Sequence, residues 1–217
     1  PVSITKTGEN RYLFTFPRTI SGYISLRTGS LCRGQKLVIR YAECIHADGS
    51  LDLKTADSPK FYPESRFAWD EFIADGADFT WSPRFAYHGF RYIRVDGITA
   101  EQATPDLLTY LVMHTEMEDR GGFTCSDPVA NKIQEITRRS ILSNFHHFPT
   151  DCPHREKNGW TADAALSTEH ALLNLAPENN YYEWMRHIRA SMDERGAIPG
   201  IVPTGGWGFA WGNGPAW

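Results

Sequence analysis

From Tyr12 to about Met117, apolar and polar residues alternate in short runs separated by turn-forming residues, the pattern of half-buried antiparallel strands. The runs Tyr12 to Phe16, Gly22 to Leu26, Lys36 to Glu43, Ala68 to Ala74, Asp78 to Trp81, Phe90 to Val95 and Leu107 to Met117 are the candidate strands. Breaks at Thr28-Gly29, Ala47-Asp48-Gly49, Asp75-Gly76 and Asp96-Gly97 offer the positive φ that hairpins and bulges use. Seven short strands at this spacing predict a β-sandwich.

After Asp119-Arg120-Gly121-Gly122 the period lengthens to that of a helix, which places a domain boundary there: residues 1–119 as a β-domain and 120–217 as a helical one. Ser126 or Asp127 can cap a first helix and Pro128 suits its first position. Val129, Ile133, Ile136, Ser140 and Asn144 then share one stripe, polar towards its end. A second helix is expected from a Thr161 cap to Leu175, and a third from about Pro177 to Glu194, stopped by Gly196. The Gly- and Trp-rich stretch from Gly205 to Trp217 reads as loop. Three helices do not close a bundle, so the helical domain reads as truncated.

Composition narrows the partners more than the fold. Of the 217 residues 41% are hydrophobic and 22% charged, with a formal charge of −4, and basic residues are interspersed with acidic ones. There is no cationic stripe for a phosphate backbone, which argues against nucleic acid, and no apolar run approaches the roughly 20 residues of a membrane span. Cys32, Cys44, Cys125 and Cys152 are too scattered for a disulfide framework and point to no redox compartment. Aromatic residues make up 13%, with seven tryptophans, which suits either stacking on sugar rings or an aromatic core. The start Pro1-Val2-Ser3-Ile4 is not a signal peptide and has no initiator Met, so the chain is expected to begin within a longer protein; cytoplasm, periplasm and secretion all remain open.

The densest chemistry lies between the first two helices, in Phe148-Pro149-Thr150-Asp151-Cys152-Pro153-His154-Arg155-Glu156-Lys157-Asn158-Gly159-Trp160-Thr161-Ala162-Asp163. Two prolines and a glycine make it a loop, where side chains can converge on a cavity. With Asp163 in the first turn of a helix, the dipole favours its ionised form, and its charge would raise a neighbouring carboxyl. Such a carboxyl, still protonated near neutral pH, is what glycoside hydrolysis needs, and Glu156 is the candidate acid. The plainer alternative has Asp151 capping a turn and paired with Arg155, and Glu156 solvated. Cys152-Pro153-His154 near His146-His147 lacks a second ligand pair at zinc spacing, so no metal is expected; the two histidines suit a helix C-terminus, where a partly charged imidazole meets open carbonyls. Tyr181, Tyr182 and Trp184 sit at helical spacing as core candidates. His88-Gly89-Phe90-Arg91-Tyr92 reads as a structural strand.

Thr150 to Glu156 followed by Gly159 to Asp163 resembles the signature T-D-C-P-x-R-[DE] then G-W-x-x-D of the α-L-rhamnosidases of glycoside hydrolase family 78. Gly121 to Asp127 resembles the entry to that family's catalytic domain. Ala86 to Tyr92, and Tyr41-Ala42-Glu43 with Asp48-Gly49-Ser50, resemble its preceding β-domain. The resemblance implies an antiparallel β-sandwich followed by the first helices of an (α/α)6 barrel, and hydrolysis of terminal non-reducing α-L-rhamnose with inversion and without a cofactor. Glu156 becomes the general acid, and Asp151, Arg155, Trp160 and Asp163 bind the sugar. Trp217 joins them, since the family has a tryptophan just after such a glycine-rich loop. The implied partners are rhamnose-containing glycosides or polysaccharides, and a homo-oligomer of the full-length parent stays open. Two departures stand out. Ala162 replaces a usual Gly, and no residue matches the family's general-base Glu, so the chain alone is expected to be inactive. A non-catalytic carbohydrate-binding protein with a rhamnosidase-like pocket is the alternative, and a structural β-domain with a helical docking segment a third.

Overall fold

The computed structural model describes residues 1–57, 66–203 and 208–211. They form two compact units, one of Pro1–Met113 with Pro153–Arg155, the other of His114–Cys152 with the residues from Glu156 onward.

The first unit is an antiparallel sheet of β1 (Ser3–Gly8), β2 (Arg11–Arg27), β3 (Lys36–Ala42), β4 (Trp69–Ile73), β5 (Thr80–Trp81), β6 (His88–Asp96) and β7 (Leu108–Val112). Its order is β1-β2-β6-β3-β4, and β5 and β7 pair with β2 farther along. The expected strands Tyr12 to Phe16 and Gly22 to Leu26 are one continuous strand, β2, bent by a bulge. Opposite β6 the register passes from Thr15↔Tyr92 to Ile20↔Phe90. The exposed Pro17-Arg18-Thr19 occupies the bulge, where a residue without an N–H costs no ladder bond. Past it, β2 takes β7 from Gly22↔Val112 to Leu26↔Leu108. One strand with two sets of partners turns both stretches onto a single core, in which Phe14, Ile24, Leu37, Ile39, Phe90 and Ile93 are fully buried. Each such side chain contributes roughly 1.5–3 kcal/mol by leaving water.

Pattern reading passed over β1, because SITKTG buries only part of Ile4 and Gly8 along a sheet edge. Gly49, Gly76 and Gly97 have positive φ as expected, but Gly29 does not; the Thr28 hydroxyl organises its turn by bonding the carbonyls of Ala77 and Phe79. Inside the core the Tyr41 hydroxyl donates to Asp70 Oδ2 at 2.6 Å, and the buried His88 ring stacks on Tyr41 with its Nε2 3.3 Å from the same oxygen.

The second unit holds α1 (Pro128–Ser143), α2 (Thr161–Asn174) and α3 (Glu178–Ala190), with a small hairpin, β8 (Phe145–His146) and β9 (Phe148–Pro149), between the first two helices. Asp127 caps α1 by accepting from the Val129 N–H at 2.8 Å, and Pro128 opens the helix. Val129, Ile133 and Ile136 of the expected stripe are exposed. What α1 buries is Ile141 near its C-terminus, against Ala171 and Leu175.

Thr161 does not cap α2. Trp160 stands at the cap position, while the Thr161 hydroxyl and N–H both donate to the Gly200 carbonyl, so its side chain is committed elsewhere. The third helix ends at Ala190 rather than Glu194, and Gly196 instead serves a turn that Asp193 closes by accepting from the amides of Arg195 and Ala197. Of the aromatic cluster on α3, Trp184 is core and its indole N–H donates to the Val202 carbonyl at 2.8 Å. Tyr181 is half-buried, and Tyr182 is exposed because it lies on the opposite face. Among the described residues no helix is long and apolar enough to cross a membrane.

Candidate active site

The loop between β9 and α2 is held by its own backbone. The Asp151 N–H donates to the Asn158 carbonyl at 3.0 Å and the Asn158 N–H returns to Asp151 Oδ1 at 2.8 Å, closing a ring around residues 152–157. Within it the Glu156 N–H donates to Cys152 Sγ at 3.3 Å, and Lys157 takes a positive φ. Gly159 follows because another chain segment passes too close for a side chain: a Cβ there would lie 1.9 Å from the Val202 carbonyl oxygen. The two backbones are joined by the Val202 N–H to the Gly159 carbonyl at 2.8 Å. Trp160 then turns its indole N–H onto Glu156 Oε2 at 2.9 Å, so the ring system sets the direction of that carboxyl.

Asp163 sits in the first turn of α2. The helix dipole alone would keep it ionised, yet its carboxyl is pushed upward, first by partial desolvation and then by the negative charges of Asp151 and Glu156. Asp163 therefore lies within electrostatic reach of both Asp151 and Glu156. Cys152 is a poor nucleophile, its thiol pushed up to about 11 by burial and by its hydrogen bond with Asp151. His146 meets the Ser143 carbonyl at the end of α1 with Nε2 at 3.2 Å. It does so as a neutral ring, contrary to the partly charged imidazole expected, because burial lowers its pKa to about 4.

Arg155 Nη1 donates to the Thr55 carbonyl at 3.5 Å within the first unit. Trp217 lies outside the described residues, as does Trp207. The roles of Asn158 and Gly159 escaped pattern reading, since both act through the backbone and neither advertises chemistry by its side chain.

Residues 5–114 match the bacterial α-L-rhamnosidase concanavalin-like domain, and residues 118–217 match the bacterial α-L-rhamnosidase 6 hairpin glycosidase domain. The chain belongs to the bacterial α-L-rhamnosidase family. It is similar to an α-L-rhamnosidase of Formosa agariphila, 29% identical over 201 residues, covering 88% of this chain and 20% of that protein. Among solved rhamnosidase structures, that from Dictyoglumus thermophilum matches 94% of this chain and 22% of its own at 32% identity and a TM-score of 0.83. The Streptomyces avermitilis α-L-rhamnosidase complexed with L-rhamnose matches 94% and 19% at 26% identity and a TM-score of 0.83. The chain thus spans about a fifth of the length of these three rhamnosidases, taking in a sandwich-type domain and the opening helices of the α/α barrel.

Proposed function

We propose that this chain supplies the proton-donating side of a glycoside hydrolase that removes terminal non-reducing α-L-rhamnose from glycosides or polysaccharides with inversion. Glu156 is the general acid, protonating the departing glycosidic oxygen as the bond to the anomeric carbon breaks. Asp151, Arg155, Trp160, Asp163 and Trp217 bind the sugar, and the acidic pair among them stabilises the positive charge that develops on the ring. Water attacks the opposite face and gives its proton to a second carboxylate roughly 6.5 to 9.5 Å from the acid. We assign no residue of this chain to that role, and expect the 217 residues alone to be inactive. The reaction is acid–base chemistry on water and needs no cofactor.

The observation that carries the reading is the cluster itself: Glu156 gripped by the Trp160 indole, with Asp151 and Glu156 both raising the Asp163 carboxyl, in a chain of this family. In the full-length enzyme, Glu156→Gln is expected to lower kcat on an alkyl rhamnoside by about 10²–10⁴-fold, with rhamnose binding retained in calorimetry. An unaltered kcat would remove Glu156 from the reaction.

A further inference from the structure

Three consecutive residues of the acid-bearing segment, Pro153-His154-Arg155, belong to the first unit rather than to the helical one. Each is held there differently. Pro153 and His154 lie over Gly89 of β6, where a Cβ would stand 2.9 Å from both His154 Cβ and Pro153 Cγ and 3.0 Å from the His154 nitrogen. The fit exists because residue 89 has no side chain. His154 Nδ1, buried and without a hydrogen-bond partner among the described residues, lies 3.6 Å from Glu43 Oε2. Arg155 reaches the Thr55 carbonyl.

A buried ring nitrogen with no donor or acceptor of its own is costly, and the carboxylate beside it is what compensates electrostatically. The next peptide bond leads to Glu156. Movement of this tripeptide therefore moves the backbone that carries the carboxyl, and an error of about 1 Å in a reacting group costs on the order of 100-fold in rate.

We infer that Glu43 and His154 are positioning residues for the proton donor, with Glu43 tethering the loop through His154. This rests on Glu156 being the acid. A general acid matters most when the leaving group is poor, so misplacement has a signature that loss of stability lacks. In the full-length enzyme Glu43→Ala is expected to lower kcat about 10- to 100-fold on an alkyl rhamnoside, with little change for a nitrophenyl rhamnoside and KM nearly constant. Glu43→Gln, which keeps an acceptor oxygen, is expected to recover part of the loss. Gly89→Ala, which displaces the tripeptide without touching its charges, should show the same split.

In the 217-residue chain, hydrogen exchange at the Glu156 and Asn158 amides should speed up in Glu43→Ala while the amides of β3 and β6 stay protected. Equal losses on both substrates, or unchanged exchange at those two amides, would overturn the tether. Glu156→Gln distinguishes the two failures. If it shows the leaving-group split and Glu43→Ala does not, only the tether is wrong; if neither shows it, the acid assignment fails too.

Discussion

Replacing Gly159 by alanine tests whether the signature glycine is there for close backbone approach. Its Cβ would sit 1.9 Å from the Val202 carbonyl oxygen, 2.8 Å from the carbonyl carbon and 3.1 Å from Phe148 Cδ2. An ordinary contact needs more than an ångström of extra room, so the two backbones must part. Two bonds converge on this junction, from the Val202 N–H to the Gly159 carbonyl and from the Trp184 indole to the Val202 carbonyl, both 2.8 Å. At about 1 kcal/mol each, their loss adds to the roughly 1–3 kcal/mol of overpacking, about 3–5 kcal/mol altogether. With a urea slope of ~2 kcal/mol/M, the midpoint of the helical unit should fall by roughly 1.5–2.5 M. Circular dichroism at 222 nm isolates this unit, since α1, α2 and α3 all lie in it. A midpoint within about 0.3 M of the parent would refute the close-approach reasoning.

Two further expectations concern pH. Because the folded state raises the Asp163 carboxyl, it binds that proton more tightly than the unfolded chain does. Stability is therefore lost as pH rises from the ordinary aspartate range through the raised value. Asp163→Asn should accordingly raise the Tm at pH 7 and give no gain below about pH 3.5, where both states are protonated; a Tm difference that does not vary with pH would contradict the cluster. His146 has the opposite sign. Its pKa falls from 6.5 to about 4 on folding, so its neutral form stabilises above pH 6.5, and about 3 kcal/mol is lost as pH falls through 4. His146→Gln, which keeps a donor for the Ser143 carbonyl and does not titrate, should flatten that acid limb in urea titrations at stepped pH; an identical limb would show that His146 is not its source.

Much of this protein is written locally. Alternation located the strands other than β1, the 3.6-residue period and Asp127-Pro128 located the start of α1, and the two prolines and glycine between Phe148 and Gly159 marked a loop ahead of a helix. These features depend on near neighbours, whose geometry the backbone repeats. The rest depends on partners distant in the chain. That Pro17 makes a bulge rather than a strand end follows from β6 continuing alongside. That Val129, Ile133 and Ile136 face solvent follows from where α2 meets α1. Thr161 forgoes capping because the Gly200 carbonyl takes its hydroxyl, and Arg155 turns to a carbonyl a hundred residues earlier. The same holds at the site: the dipole, a local effect, predicts an ionised Asp163, whereas desolvation and two carboxylates gathered by folding decide the sign of its shift. Local spacing specifies which groups are present; only tertiary packing sets their distances and dielectric surroundings, and electrostatic chemistry depends on both.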